Sequence, residues 1–419
     1  MRINQRFYAV FAATVFLFIS WLIFLDDLLL SLWIGLIAVI IFSWFVSKNS
    51  LNKIEVKRFS RKKILEIGKI FDERLEIKNN SKLPKYWIEI SDRSDLLEKI
   101  NSRVVTSLGP DKISIFQSTV VLNKRGFFPL GPTELISGDP FGLFTTSMIF
   151  QTKNYLLVYP KVSKLHRFPL LPTDMTGSAS LLLQTTHPTP QAAGVREYSP
   201  GDPLSRVHWP TTVRRDKLMV KEFDEDSQSS VWLLLDAQKG KYIRVMQEIV
   251  PAYDRNYVSI RKTKDFLLPQ DSFEYAVSIT ASIAKYFLEK NLTVGFACSG
   301  EKVSVLPPEK GHRQLNKILE SLASVRDIGS TPLEHLIEKQ SKNISKGSAI
   351  ILINASKVQS YEIIMETLRR RGFQVLTVVL DNATFEQNYE KPEGSKSDPT
   401  GSEIRVSFDD DISKVLSVS

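Results

Sequence analysis

Residues 231–236 read Val-Trp-Leu-Leu-Leu-Asp, five apolar side chains in succession ending on a carboxylate. A strand apolar at every position has no solvent face, so both its sides must be covered, as in a parallel sheet flanked by helices. Downstream the pattern alternates as such a sheet requires. An amphipathic helix is predicted near Phe273–Lys290, strands over Leu292–Ala297 and Val303–Leu306, and helices near His312–Leu322 and Leu333–Lys342. A strand over Ala349–Ile353, a helix over Tyr361–Arg371 and a strand over Gln374–Leu380 follow. This alternation predicts a doubly wound, mostly parallel sheet, in which ligands sit beyond the carboxyl ends of the strands. Two polar insertions interrupt it, Lys239–Gln270 and Glu386–Glu403, and the Gly, Pro, Ser and charge content of the second suggests a mobile loop.

Upstream the period shortens. Between Leu51 and about Phe168, strand-like runs occur at Ile54–Phe59, Arg74–Lys78, Tyr86–Ser91, Ser114–Leu122, Thr133–Ser137 and Tyr155–Tyr159. Asn79-Asn80-Ser81-Lys82 and Gly138-Asp139-Pro140 read as turns between them, and the expectation is an antiparallel β-sandwich-like module.

Further upstream, Phe7–Leu25 and Leu28–Val46 are almost wholly apolar. Each supplies about the 20 residues that a helix needs to cross the hydrocarbon of a bilayer. With only Asp26 and Asp27 between them, the two form a transmembrane helical hairpin that returns the chain to its starting side. Arg2 and Arg6 precede the first run; Lys48, Lys53, Lys57, Arg58, Arg61, Lys62 and Lys63 follow the second. The positive-inside rule then puts both termini in the cytoplasm, with the basic stretch drawn to anionic headgroups and Trp21, Trp33 and Trp44 as interfacial anchors. The expected organisation is a hairpin over residues 1–50, a β module over 51–170, a connecting segment over 171–230 and an α/β domain over 231–419.

The connecting segment contains Gly194–Asp226, GVREYSPGDPLSRVHWPTTVRRDKLMVKEFDED. Pro200-Gly201-Asp202 suits a type II turn, with proline at the first central position and glycine at the positive φ of the second. Around it stand Arg196, Glu197, Arg206, His208, Trp209, Arg214 and Arg215, a set in which guanidinium forks can pair with carboxylates. Two readings stand. Pairs such as Arg206 with Asp202 or Arg214 with Glu222 lock an interdomain angle, or part of the cluster faces outward and docks an acidic partner.

The segment resembles the signature of the bacterial domain of unknown function 58 family, roughly Arg-x-Tyr-x-Pro-Gly-Asp, Arg-x-x-His/Asp-Trp and Ala-Arg. Arg196, Tyr198, Pro200, Gly201, Asp202, Arg206, Trp209 and Arg214 match it, while Val213 replaces the usual alanine and Pro210 follows the tryptophan. Lys124–Pro132 and Asp139–Phe144 are also similar to that family, so the resemblance spans most of the chain. It gives no catalytic role to Asp139, Phe141 or Gly142.

The C-terminal domain resembles a von Willebrand factor A domain, whose Asp-x-Ser-x-Ser loop, threonine and aspartate assemble around Mg²⁺. Here the first loop is Asp236-Ala237-Gln238-Lys239-Gly240 and the distant aspartate is Asn354, so only Asp236 and Thr331 remain. A dismantled site, with no metal and no other cofactor, is the expectation.

Other chemistry is sparse. His166, His187, His208, His312 and His335 lack metal-ligand spacing, and no P-loop, dinucleotide fingerprint or Gly-x-Ser-x-Gly elbow occurs. The single cysteine, Cys298, excludes an internal disulfide and lies in an apolar strand, where an inert thiol is expected. The formal charge of +9 comes with no nucleic-acid-binding motif, so membrane lipids rather than nucleic acid are the expected polyanionic partner.

The function these features point to is a non-enzymatic adaptor or scaffold in the inner (cytoplasmic) membrane, facing the cytoplasm. The family resemblance implies a MoxR-type AAA ATPase, and a transglutaminase-like membrane protein, as partners in assembling or maturing protein complexes or the cell envelope. The alternatives are a membrane-proximal hydrolase using the charged segment and a purely structural envelope-integrity protein.

Overall fold

The computed structural model describes residues 1–94, 96, 101–151, 154–169, 194–200, 207–222, 230–245, 266–341, 344–345, 348–355, 359–386 and 403–417. Two compact units divide the chain: Met1–Tyr159 with Ile249–Phe266, and Pro160–Glu248 with Leu267–Ser419.

The first unit opens with a two-residue strand, β1 (Arg2–Ile3), and two helices, α1 (Gln5–Phe24) and α2 (Asp27–Asn49). At 1.5 Å per residue α1 is about 30 Å long, the thickness of a bilayer's hydrocarbon core. Both helices are long and apolar enough to cross a membrane, and their surfaces are almost entirely exposed. The turn between them is as tight as the sequence predicts. Leu25 adopts a left-handed conformation (φ 47°) and donates its N–H to the Trp21 carbonyl. The Asp26 carboxylate then caps α2 by accepting from the Leu28 N–H at 3.0 Å. Phe18 and Trp33 pack across the hairpin with ring centroids 5.1 Å apart.

Ten strands follow: β2 (Ile54–Ser60), β3 (Ile64–Glu66), β4 (Ile70–Asn79), β5 (Lys85–Asp92), β6 (Asn101–Leu108), β7 (Ile113–Val121), β8 (Gly126–Pro129), β9 (Thr133–Gly138), β10 (Phe144–Phe150) and β11 (Tyr155–Tyr159). They form three sheets, ordered β1-β10-β9-β5-β6, β2-β4-β7 and β3-β11-β8. The first two are antiparallel and face each other. Ile54 and Ile77 of one sheet meet Ile88, Ile90, Val105 and Leu135 of the other in a shared core that also takes in Leu51, just beyond α2. A second core, with Phe71, Leu122, Leu156 and Val158, seats the third sheet. That sheet contains a parallel pair, β3 with β11, a departure from the wholly antiparallel expectation. Strands β1, β3 and β8 escaped the sequence reading because they are short, and β6 and β10 because polar residues break the apolar alternation of each.

Both feet of the hairpin are tied to the β strands. Asn4, ahead of α1, donates its backbone N–H to Leu143 O at 3.0 Å and its side-chain amide to Gly142 O at 2.9 Å. Ser47 of α2 shares a hydroxyl hydrogen bond with Thr146 of β10 at 3.1 Å. The Lys85 ammonium, buried at the start of β5, bonds the Asn49 carbonyl that ends α2. A cation there complements the negative end of the helix dipole, although burial lowers the Lys85 pKa.

The second unit carries β12 (Gly194–Glu197), α3 (Trp209–Arg215) and β13 (Met219–Glu222) ahead of the main sheet. The sheet and its helices are β14 (Val231–Leu235), α4 (Ser272–Glu289), β15 (Val294–Ser299), β16 (Val303–Glu309), α5 (Gly311–Ser324), α6 (Leu333–Ser341), β17 (Ala349–Asn354), α7 (Gln359–Arg370), β18 (Gln374–Leu380), a 3₁₀ turn (Asn382–Phe385), β19 (Glu403–Val406) and α8 (Ile412–Val415). The strand order is β16-β15-β14-β17-β18-β19, parallel throughout except for β16 at one edge. Every residue of β14, β15 and β17 is buried, as the opening apolar run requires. Helices α6 and α7 cover one face, packing Leu333, Leu336, Tyr361 and Met365 on Trp232, Leu234, Ile350 and Leu352. Helix α4 covers the other, so the sheet is doubly wound. Strand β19 went unpredicted: it pairs with β18 just where the second polar insertion ends.

Candidate functional site

Two places in the second unit gather the residues singled out in the sequence. One is the connecting segment. There β12 and β13 pair antiparallel, Gly194 with Glu222 through Glu197 with Met219, and Val207 bridges Val220 alongside. Val207, Met219 and Val220 are buried and anchor this small scaffold. Helix α3 stands on it with Pro210 in its first turn, where proline's missing N–H costs no helical bond. Thr212 faces inward, its hydroxyl accepting from the Met219 N–H at 3.0 Å.

The opposite side of α3 is open. Trp209 is 63% exposed and Val213, one turn on, 79% exposed, while Arg214 and Arg215 end the helix in solvent. Position i and position i+4 share a helix face, so the tryptophan and valine form one apolar ridge with a cationic end. Beside it, Lys217 pairs with Glu197 at 2.8 Å, which holds the Glu197 carboxyl below its usual range, but both side chains are exposed. Such a pair contributes little to stability. Arg196 donates to the Glu197 carbonyl at 3.2 Å, Tyr198 is half-buried and Pro200 is exposed. Gly201, Asp202 and Arg206 lie outside the described residues, as does the side chain of Glu222, and with them the proposed pairs of Arg206 and Arg214. His208 bonds Thr211 Oγ1 through Nδ1 at 2.7 Å.

The second place is the carboxyl edge of the main sheet, between β14 and β17, where the strand order reverses. Asp236 follows β14 and is fully buried. Its Oδ2 accepts from the Tyr361 hydroxyl at 3.0 Å, and its Oδ1 accepts from the Gln238 N–H at 3.0 Å and the Ser299 hydroxyl at 3.5 Å. The Tyr242 hydroxyl donates to the Asp236 carbonyl. Burial raises the pKa of Asp236, and burial, followed by the Asp236 charge, raises those of Tyr361 and Tyr242. The loop after Asp236 runs beside the loop before Thr331, with Gln238 bridging Gly329. A Cβ on Gly329 would lie 1.8 Å from the Ser299 carbonyl oxygen, so only glycine permits this approach.

The structure thus places the loop after Asp236 beside Gly329, two residues before Thr331. The donor set nevertheless does not fit Mg²⁺. Asp236 spends both oxygens on protein donors, and the end of β17 offers an amide, Asn354, rather than a carboxylate. No cluster of three metal-ligating side chains occurs among the described residues. Tyr361, Tyr242 and Ser299 were missed because sequence periodicity assigns them only to helix, loop and strand.

In the first unit, Arg58 corrects the reading of the basic stretch. Its side chain has no exposure and meets Asp92 at 2.8 Å, Glu73 at 3.4 Å and the Thr133 hydroxyl at 3.0 Å. It braces the two facing sheets and is not available to lipid headgroups. Burial pushes the Glu73 carboxyl up to about 7.

Two apolar helices long enough to cross a membrane, β sheets tied to their feet and a doubly wound α/β unit define the class of protein. Residues 194–248 match the family described as Protein of unknown function DUF58. Uncharacterized protein YeaD of Bacillus subtilis (strain 168) is similar, with 23% identity over 349 residues, 79% of this chain and 76% of that protein. Among solved structures, the CARDB domain of the PF1109 protein from Pyrococcus furiosus has 12% identity and a TM-score of 0.18, covering 25% of this chain and 91% of that one. The sporulation control protein Spo0M from Bacillus subtilis has 13% identity and a TM-score of 0.15, covering 26% and 49%. Likenesses this low carry no argument about fold or function.

Proposed function

We propose that the chain is a membrane-anchored, non-enzymatic adaptor that holds a protein partner at the cytoplasmic face of the membrane through the outward face of α3. The observation that carries this reading is the ridge of Trp209 and Val213, with Arg214 and Arg215 at its end, inside the DUF58 segment. Tryptophan and arginine are the residues that concentrate binding energy at protein interfaces, and their combination suits an acidic surface with an apolar pocket. Arg2, Arg6, Lys48 and Lys53 at the feet, against Asp26 and Asp27 at the opposite turn, support the cytoplasmic orientation.

The strand order of the α/β unit, 3-2-1-4-5-6 with the third strand antiparallel, supports a von Willebrand factor A-like reading of that unit. With Asp236 sealed by tyrosines, such a unit acts here as a scaffold rather than a metal-dependent adhesive site. Family resemblance supplies the partner class: a MoxR-type AAA ATPase, working with a transglutaminase-like membrane protein on envelope or complex maturation. Crosslinking in native membranes followed by identification of captured proteins tests this. Capture of such an ATPase, lost in Trp209→Ala and Arg214→Ala variants that melt as the parent does, is the expected result. Repeated recovery of no ATPase, or variants that fail to fold, would remove the docking role.

A further inference from the structure

We propose that the loop between β9 and β10, Asp139–Leu143, contacts the bilayer: Phe141 inserts at the headgroup level and Arg6, laid across Gly142, faces the phosphates of anionic lipids. This rests on the reading of α1 and α2 as membrane-spanning.

The loop belongs to the β unit, yet its height is set by α1. Asn4 immediately precedes that helix and holds the loop by two hydrogen bonds, to Leu143 O and Gly142 O. One turn into α1, Phe7 packs on Phe144 with ring centroids 5.1 Å apart. The loop is therefore fixed beside the first turn of α1, where the apolar run begins and the headgroup layer of a bilayer would lie.

Its own bonds decide what projects. Asp139 is buried, and its carboxylate accepts from the Phe141 N–H at 2.9 Å and the Phe144 N–H at 2.6 Å. Leu143 and Phe144 turn into the core, while Phe141 is left 50% exposed. A single exposed phenylalanine is ordinary on a soluble surface. This one belongs to a loop tied to the start of α1, where Tyr8 and Phe11 are exposed as well. Gly142 has φ +70°, and a Cβ there would lie 3.2 Å from Arg6 Nη1. The guanidinium therefore lies against the backbone of Gly142, the residue that follows Phe141. An aromatic wedge next to an arginine is the pairing that interfacial membrane contacts use.

The test uses the full-length chain in vesicles of phosphatidylcholine with phosphatidylglycerol, carrying one environment-sensitive fluorophore on Phe141→Cys, Leu22→Cys or Phe127→Cys. Cys298 is fully buried and stays unlabelled, which the labelled parent checks. Phe127, 58% exposed on the third sheet, is the control for an aromatic facing water, and Leu22, 54% exposed in α1, the control for lipid. Each variant is first required to melt as the parent does. The expected result is a blue shift and loss of fluorescence to a shallow lipid-borne quencher at 141 and 22 but not at 127. The shift at 141 should also shrink in Arg6→Gln, and in vesicles lacking phosphatidylglycerol. If 22 is quenched while 141 behaves like 127, the loop faces water or a protein and this inference falls while the membrane reading stands. If 22 is not quenched, the membrane reading itself fails and takes this with it. Quenching at 141 indifferent to Arg6→Gln and to lipid charge would overturn the phosphate contact.

Discussion

Arg58 sits between two carboxylates with no access to solvent, so the sheets it joins depend on a balance of buried charge. Removing the guanidinium leaves the buried Asp92 carboxylate beside Glu73 without its cation, which typically costs about 3–5 kcal/mol. Arg58→Met should lower the stability of the first unit by that amount in urea titrations. The pH dependence follows from Glu73, whose pKa is raised from 4.5 to about 7 chiefly by burial. The fold favours its neutral form, so this contribution is complete below about 4.5 and is lost as pH rises through about 7. Melting of the first unit should fall between those limits, and Glu73→Gln, which cannot ionise, should flatten the slope. A steeper slope in the variant would contradict this assignment. At the other carboxyl edge, Gly329→Ala has no room for its methyl group against Ser299 O. A loss of roughly 3 kcal/mol or more is expected, as for other changes that force backbone apart.

Among the elements, α4 depends on one residue outside it. Asp271 caps the helix by accepting from Phe273 N–H at 2.9 Å and Glu274 N–H at 3.4 Å, and also pairs with Arg244 at 2.6 Å. Asp271→Ala should cost about 0.5–2 kcal/mol, while Asp271→Asn, which keeps the cap, should cost less. Helix α3 behaves oppositely. Its outward residues touch little, so Trp209→Ala and Arg214→Ala should leave thermal melting within about 0.5 kcal/mol of the parent, the range of ordinary surface changes. That indifference is what makes them usable as probes of partner capture.

For the whole molecule, two compact units predict two unfolding transitions rather than one. Calorimetry of the detergent-solubilised chain should show Arg58→Met moving one transition and Asp271→Ala the other. A single transition shifted by both would mean that the units unfold together.

The apolar run at 231–235, the alternation after it and the two apolar helices at the N-terminus were legible in the sequence because burial and unbroken apolar runs leave periodic, composition-level marks. The tight turn at Asp26 was legible as well, since few arrangements satisfy two long apolar runs separated by two residues. The identity of the connecting segment was carried by its motif. What the sequence could not give were contacts between residues far apart in the chain. Arg58 reads as one more cation in a basic stretch until β2, β4, β5 and β9 converge on it, and Asp139 reads as a turn residue until Asn4 docks on its loop. Asp236 reads as a remnant metal ligand until Tyr361, 125 positions later, closes over it. Periodicity reports which face of an element avoids water, so it settles elements and their class. Which polar groups meet in the interior depends on how those faces are brought together, and tertiary packing alone decides that.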